Sequence, residues 1–297
     1  AVDAATGALI TLSSGARAGE ETAAGAATAG MPTPAAAAAL DGFDLAMGYY
    51  KAADDNGRGI AGGAYIMRTD ASPLYTGFDL DRADNGAKAA PVRSASTGPV
   101  LSTYGITFSP YASATVRLWA GLPDAEVEWT VGPLPSTDRV GREVIISYTS
   151  SLVTGNGTLW TDANGRRNMR RVRDSRPTFL PNIEQGTASN FYPMTSIATL
   201  EGQATGGRDA TPLALSLVTD RAQGVASRGD GSVDVLVHRR LFKDDWKGVA
   251  EPLNETECGC VPARSTADSV GYSDCGCGGV VATGTHTLVL APAGAGG

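Results

Sequence analysis

Residues Ala125 to Val131 read AEVEWTV, and this short stretch decides the fold class. Its side chains alternate strictly, so that Val127, Trp129 and Val131 share one face and the two glutamates share the other. A period of two predicts a β-strand with one face in a core and the other in water.

The same alternation recurs along the chain, with Gly, Pro, Asp and Asn clusters between the repeats. The other strands predicted in this way are Ala8 to Ser13, Val116 to Ala120, Glu143 to Tyr148, Leu213 to Val218, Val233 to Leu241 and Gly284 to Leu290. No run with helical period has caps at both ends, and 38 glycines and 16 prolines suit turns better than helices. We therefore predict an all-β fold, an antiparallel sandwich of many short strands.

The overall composition excludes several classes of partner. The 297 residues carry a formal net charge of -7, whereas proteins that bind nucleic acid need a cationic surface. No apolar stretch reaches the roughly 18 residues that a membrane-spanning helix needs. With 42% hydrophobic residues, the chain has enough apolar side chains for one large β unit or two coupled ones.

Three segments depart from the strand pattern. Residues 20–41 are rich in Ala and Gly and are predicted to form an insertion that loops out of a sheet. Residues 291–297 form a Gly/Ala tail that we expect to be frayed. The chain starts at Ala1 without a signal-like leader, and we expect it to be cut from a longer protein.

Four cysteines lie in one stretch, residues 254–280, which we predict to be a hairpin or loop. They form two Cys-Gly-Cys pairs, Cys258 with Cys260 and Cys275 with Cys277. Either disulfides or a four-thiolate zinc site fits this spacing, and four cysteines permit three pairings.

Two N-glycosylation triplets begin at Asn156 and Asn254, and the second directly precedes the cysteines. Sites for N-linked sugars and an even, clustered set of cysteines together point to an oxidising compartment. In such a compartment disulfides are favoured over zinc, while their connectivity stays open.

Few residues of the chain are candidates for catalysis or metal binding. The two histidines, His238 and His286, lie in separate strand-like runs and are predicted to be structural, since a catalytic zinc usually needs three protein ligands. Asp244 and Asp245 are adjacent, so as strand residues they would point to opposite faces and not act together on a sugar.

Two charged motifs are interpreted as structural. The cationic run Arg166 to Arg173 could hold an acidic partner, but the acidic chain favours internal ion pairs with Asp162 and Asp174. The tripeptide Arg-Gly-Asp in Arg228 to Gly231 suggests adhesion, yet strand sequence on both sides favours a hairpin turn.

Ordered similarities to one enzyme family run along nearly the whole chain. The segments that carry them are Gly63 to Ile66, Glu126 to Leu134, Thr161 to Arg166, Phe191 to Pro193, Leu217 to Gly224, Asp230 to Ser232, Val237 to Leu241, Asp244 to Val249 and Glu251 to Glu255. Together they resemble the family 38 glycoside hydrolases, nearest to the lysosomal type of α-mannosidase. The Ala-rich insertion departs from that family.

This resemblance implies a super-β-sandwich of the galactose-mutarotase-like kind, the C-terminal part of a retaining α-mannosidase that removes terminal mannose from N-glycans. The family's zinc, nucleophile and general acid belong to an N-terminal catalytic domain that this chain lacks. No catalytic or metal-binding residue is therefore assigned here, and we expect the chain alone to be inactive. That catalytic domain and a mannose-containing N-glycan are the expected partners.

The resemblance also implies two substrate-binding residues. Tyr65 corresponds to a tyrosine that reaches the mannose pocket, and Lys247 stands where the family has an arginine. Lysine keeps the charge but loses the planar two-point fork of a guanidinium.

A second function hypothesis is a free-standing carbohydrate-binding or scaffolding β-sandwich module. An upstream coding region for a β/α domain would favour the mannosidase part, whereas an unrelated neighbour would favour the module. The expected location is the secretory pathway, a lysosome or vacuole, or the outside of the cell.

Overall fold

The computed structural model describes residues 11–13, 39–41, 43–54, 61–70, 75–76, 92–155, 157–178, 185–204, 212–248, 252–254 and 279–294. None of these residues forms an α-helix. Within them the strands are β1 Thr11–Ser13, β2 Ala39–Asp41, β3 Asp44–Lys51, β4 Tyr75–Thr76, β5 Val92–Thr97, β6 Leu101–Ser109, β7 Ala112–Trp119, β8 Asp124–Val131, β9 Arg142–Thr149, β10 Leu152–Val153, β11 Leu159–Thr161, β12 Met169–Arg171, β13 Tyr192–Met194, β14 Ile197–Ala204, β15 Leu213–Thr219, β16 Gln223–Ala226, β17 Ser232–Arg240 and β18 Ala282–Pro292. Short 3₁₀ turns occupy Ala163–Gly165 and Ala188–Asn190.

The described strands form two large antiparallel sheets and one small one. The larger sheet has the order β12-β11-β14-β15-β18-β8-β7-β6-β5, with β10 also paired to β14. The second has the order β13-β16-β17-β9-β3-β4, and β1 pairs with β2 alone. The all-β antiparallel sandwich predicted from the sequence is confirmed.

The core lies between the two large sheets. Strand β8 faces it as predicted, with Val127, Trp129 and Val131 at most 1% exposed. Met47 and Val235 of the second sheet belong to the same apolar cluster. Burying such side chains contributes roughly 1.5 to 3 kcal/mol each, so this cluster is the main stabilising feature of the fold.

A glycine makes room for the largest core side chain. Gly284 of β18 lies directly opposite Trp129 of β8. A Cβ atom on Gly284 would come within 2.4 Å of the indole Cζ2, closer than any ordinary contact. The strand sequence therefore needs glycine here to let the indole cross over β18.

One neutral polar network is buried in this apolar core. The hydroxyl of Tyr148 lies 2.7 Å from Nδ1 of His286, and Nε2 of His286 lies 2.9 Å from Oε1 of Gln223. The Gln223 amide nitrogen donates to the carbonyl of Leu236, which fixes Oε1 as the acceptor for the ring. His286 is therefore neutral, with its proton on Nε2, and burial lowers its pKa to about 4.

A β-bulge in β17 changes which residues face outward. The pairing with β9 shifts between Leu236 and His238, so that Arg239 lies opposite Glu143. Without the extra residue, Arg239 would continue the inward face of Val233 and Val235. The bulge instead places Arg239 on the outer face of the second sheet, beside a glutamate.

Two segment bounds differ from the sequence prediction. Residues 39–41, at the end of the predicted insertion, form β2 and pair with β1. Strand β18 continues through Pro292, so the predicted tail starts too early: Leu213 of β15 pairs with Pro292 and extends the ladder. The rest of the insertion lies outside the described residues.

The Arg-Gly-Asp tripeptide lies in the turn between β16 and β17, as predicted. Nε of Arg228 is 2.5 Å from the buried carboxylate of Asp234, and Asp230 accepts a hydrogen bond from the amide of Thr154. Both charged side chains of the tripeptide are thus engaged within the fold.

No helix in the described part of the chain is long and apolar enough to cross a membrane.

Candidate substrate-binding site

Two loops meet on the outer face of the second sheet. The tyrosine loop, residues 61–66, carries Tyr65, and the aspartate loop, residues 244–248, follows β17. The amide of Gly62 donates to the carbonyl of Ala53, which ties the tyrosine loop to the end of β3. Glycine is required next to it, because a Cβ on Gly63 would lie 2.6 Å from Cβ of Asp245.

The carboxylate of Asp245 joins the two loops. Its Oδ2 accepts hydrogen bonds from the amides of Tyr65 at 2.7 Å and Ile66 at 2.9 Å, and its Oδ1 accepts from the amide of Lys247 at 3.1 Å. Desolvation acts to raise the pKa of Asp245, but these amide donors hold it below its usual range. A single ionised side chain therefore sets the spacing between Tyr65 and Lys247.

A buried ion pair supports the tyrosine loop from below. Glu143 is 0% exposed and accepts two hydrogen bonds from Arg239, at 2.5 and 2.8 Å. The same guanidinium donates to the carbonyls of Gly63 at 2.9 Å and Ala64 at 3.2 Å. Because a guanidinium is a rigid planar fork, this arrangement fixes the loop backbone relative to the sheet.

The side chains that the two loops carry point into solvent, although their backbones are held firmly. Tyr65 is 61% exposed and Trp246 is 68% exposed, and Lys247 is exposed as well. An aromatic hydroxyl, an indole and an ammonium group therefore lie on neighbouring positions of one surface. Such a combination offers ring faces for stacking and hydrogen-bond donors for hydroxyl groups.

The two residues predicted to bind substrate are thus brought together. Tyr65 and Lys247 are far apart in sequence, yet both donate their amides to Asp245. Their role in binding stays a prediction.

The other predicted sites fall mostly beyond the described residues. Cys258, Cys260, Cys275 and Cys277 lie outside them, as does Asn156. Asn254 is described, and its side-chain oxygen accepts a hydrogen bond from Nε of Arg240 at 2.8 Å. Its side-chain nitrogen is the atom that would carry a sugar, so this contact is compatible with the predicted glycosylation.

Sequence reasoning misassigned the acidic pair and missed the residues around it. Asp244 and Asp245 are not strand residues; they follow β17 and bind backbone amides of their own loop, with Asp245 also reaching Tyr65. Glu143 and Arg239 received no role. The sequence feature that could have revealed them is a charged residue within an otherwise apolar strand, because a charge is costly to bury unless it is paired.

The cationic run pairs less than predicted. Arg173 lies 3.4 Å from Asp174, which confirms one ion pair. Asp162, the other expected partner, instead accepts hydrogen bonds from the amides of Thr195 and Ser196. The prediction was wrong for Asp162 because nearby backbone amides satisfy its carboxylate first.

The described residues contain no group of three or more His, Cys, Asp or Glu side chains that could hold a metal ion. The histidines serve the fold: His286 lies in the core network, and Nε2 of His238 is 3.1 Å from the carbonyl of Val280. This part of the chain therefore does not fit a metal, and the site described above is one of hydrogen bonds and aromatic surfaces.

Comparison with known proteins identifies the family of this site. Residues 40–247, which span both loops up to Lys247, match the glycosyl hydrolases family 38 C-terminal domain. The chain belongs to glycosyl hydrolase family 38. The resemblance seen in the motifs is confirmed, and the matched region includes the tyrosine loop and the aspartate loop through Lys247.

Relatives of this family 38 domain are much longer proteins. It is 38% identical over 213 residues to lysosomal alpha-mannosidase of Homo sapiens, a match of 71% of this chain and 19% of the human protein. It is 34% identical over 199 residues to alpha-mannosidase of Canavalia ensiformis, covering 67% of this chain and 18% of that protein. The chain thus spans less than a fifth of these relatives.

Among solved structures, a protein in the glycosyl hydrolase family 38 from Enterococcus faecalis aligns with 86% of this chain and 27% of its own. The TM-score is 0.46 and the sequence identity 9%.

Proposed function

We propose that this domain completes the mannose-binding pocket of a retaining, zinc-dependent α-mannosidase that hydrolyses terminal α-mannosyl residues of N-glycans. The observation that carries the proposal is the clamp of Asp245, which holds exposed Tyr65 and Lys247 side by side on a surface within the family 38 region. The domain binds and orients, while bond cleavage belongs to a catalytic domain elsewhere in the parent protein.

Tyr65 suits contact with a sugar. Its ring can cover the apolar face of a pyranose while its hydroxyl exchanges hydrogen bonds with a sugar hydroxyl. Because its backbone is fixed by Asp245 and Arg239, little conformational freedom is lost when the sugar binds. This preorganisation favours a role in positioning the terminal mannose.

Lys247 supplies a positive charge at the same surface. Its ammonium group is a point donor, so it can bond one or two sugar hydroxyls but cannot make the planar contact of a guanidinium. The exposed side chain sits on a backbone held by Asp245, which limits where the ammonium can reach.

Zinc is assigned to the catalytic domain of the parent enzyme, as the resemblance to the family implies. When bound there, zinc would supply a Lewis acid that holds and polarises the sugar. The residues of this domain contribute only the pocket wall, and the 297-residue chain alone is expected to be inactive.

The named relatives support a location in the secretory pathway. One is a lysosomal enzyme and the other a plant α-mannosidase. We propose that the parent protein resides in a lysosome or vacuole, or is secreted from the cell. In the secretory pathway the Asn254 triplet can be glycosylated.

The test uses the parent enzyme, with the preceding catalytic domain, and methyl α-mannoside with added zinc. Tyr65→Phe removes only the hydroxyl and is expected to lower kcat/KM about tenfold, the value of one hydrogen bond of about 1.4 kcal/mol. Lys247→Met should have a similar effect, whereas Lys247→Arg should keep at least wild-type activity because it restores the two-point fork.

Control measurements separate a pocket role from folding. The exposed aromatic Trp119 lies at the end of β7, and Trp119→Phe should leave kcat/KM unchanged. Hydrolysis by the 297-residue chain alone would refute the division of labour, and unchanged activity of both Tyr65→Phe and Lys247→Met would refute the pocket role.

A further inference from the structure

Trp246 is the most exposed large hydrophobic side chain in the described part of the chain, at 68%. In the sequence it lies between Asp245 and Lys247, which both belong to the proposed site. Its backbone has φ of 57°, in the left-handed region that bulky side chains rarely adopt. Both features are unfavourable for an isolated domain, and both occur at the same residue.

The surrounding hydrogen bonds enforce this conformation. The amide of Trp246 donates to Oδ1 of Asp244 at 3.0 Å, and the next amide, of Lys247, donates to Oδ1 of Asp245 at 3.1 Å. Gly248 follows with φ of 121°, a backbone conformation that glycine adopts without steric cost. A strained residue held in place by its neighbours on a candidate site indicates that the outward indole is used.

The surroundings of the indole indicate what covers it. The core of a protein interface is depleted of charged residues, but Trp246 is flanked by the exposed Lys247 and the partly exposed Asp244. An aromatic face bordered by hydrogen-bonding groups instead matches a sugar, which has an apolar ring face and a rim of hydroxyls.

We propose that Trp246 is the platform on which the second sugar of the substrate stacks, the one that leaves when the terminal mannose is cut. This rests on the proposed function, because it needs Tyr65 and Lys247 to face the terminal mannose. In a glycan the leaving group is itself a sugar ring, so a pocket wall beside the terminal residue must also meet the next one. Trp246 would then determine preference for glycans over simple mannosides.

The experiment compares two substrates of the parent enzyme, an α-linked mannobiose and methyl α-mannoside. The leaving group is a sugar in the first and methanol in the second. Trp246→Asn removes the ring while favouring the left-handed backbone, so the loop keeps its conformation. We expect it to lower kcat/KM for mannobiose roughly tenfold and to change kcat/KM for methyl α-mannoside less than about twofold, since stacking on one ring is lost.

Two further variants control the comparison. Trp246→Phe keeps an aromatic face and should retain most of the preference for mannobiose. Trp119→Asn removes an exposed indole on the larger sheet and should leave the ratio of the two kcat/KM values unchanged.

The outcomes distinguish the two proposals. Suppose that the wild-type enzyme hydrolyses both substrates. If Trp246→Asn then lowers kcat/KM equally for both, or changes it for neither, the role of Trp246 as a platform is wrong while the proposed function stands. If wild-type parent enzyme hydrolyses neither substrate, the proposed function fails and the platform fails with it. A selective loss with mannobiose, rescued by Trp246→Phe, supports the platform.

Discussion

The interior between the two sheets and the surface that carries the site are stabilised by different forces. The interior is an apolar cluster with a neutral network around His286. The site loops are held by charges: the Glu143 and Arg239 pair below them and the Asp245 carboxylate between them. Apolar attraction has no preferred direction, whereas charge-assisted hydrogen bonds fix both direction and distance. The chain thus uses burial for stability and charge for placement.

The largest expected effect comes from emptying the interior. Trp129→Ala should lower the free energy of unfolding by about 4 kcal/mol, because a fully buried indole is lost and the neighbours relax only partly. Urea denaturation measures this. The matched control is Trp119→Ala, at a 41% exposed position, which should cost less than about 0.5 kcal/mol. Equal losses for the two variants would contradict the placement of the core.

Breaking the charged support under the tyrosine loop should have the next largest effect. Arg239→Met leaves the fully buried Glu143 without a partner, at a cost of about 3 kcal/mol. Replacing both residues, as Glu143→Leu with Arg239→Met, should recover part of that loss. Arg117→Met, which releases the exposed carboxylates of Glu126 and Glu128 to water, should cost about 1 kcal/mol or less.

Acid should destabilise the interior before it affects the site loops. The pKa of His286 is about 4 in the folded chain, because burial lowers it while Asp220 acts to raise it and Arg221 to lower it. The unfolded ring has a pKa of about 6.5, so the unfolded state takes up the proton first as the pH falls. Stability is therefore complete above about pH 6.5 and decreases by about 3 kcal/mol between pH 6.5 and 4.

Unfolding free energies measured from pH 7 to 4 test this effect. His286→Gln should flatten the pH dependence of the unfolding free energy in that range, whatever its effect on stability at pH 7. Asp245 acts in the same sense but at lower pH: its folded pKa is also lowered, so its contribution is present above about pH 4 and is lost only as the pH falls through the folded value. An unchanged slope in His286→Gln would contradict a neutral, buried ring.

The smallest effect is expected at the clamp itself. Asp245→Asn replaces an acceptor by a donor that faces backbone amides and should cost about 2 kcal/mol. The more specific readout is hydrogen exchange, which should become faster at the amides of Tyr65 and Ile66 than in the core strands. Asp244→Asn, which loses at most the contact to the amide of Trp246, is the matched control. Unchanged exchange at Tyr65 in Asp245→Asn would show that Asp245 does not hold the loop.

The sequence was most informative where a residue's neighbours along the chain decide its environment. The alternation of Ala125 to Val131 predicted which side chains of β8 are buried, since strand geometry alone places successive residues on opposite faces. The turn at Arg228 to Gly231 was predictable for the same reason. The C-terminal end of β18 was less predictable, because pairing with β15 extends that strand to Pro292.

The site depended on contacts between distant parts of the chain. The motifs around Tyr65 and Lys247 were visible in the sequence, but nothing local relates the two. Asp245 joins them across 180 positions, and Arg239 reaches the tyrosine loop only because a bulge in β17 turns it outward. A bulge depends on how two strands pair and has no fixed sequence signal.

By itself, the sequence determined the all-β class, the buried face of the strands and the family, because each follows from local periodicity or ordered motifs. Only the tertiary structure decided that Glu143, Arg239 and Asp245 together support the tyrosine loop, and that Trp246 is exposed next to the Asp245 carboxylate that binds this loop. Hydrogen bonds of this kind depend on distances in space, which the order of residues in the chain does not specify.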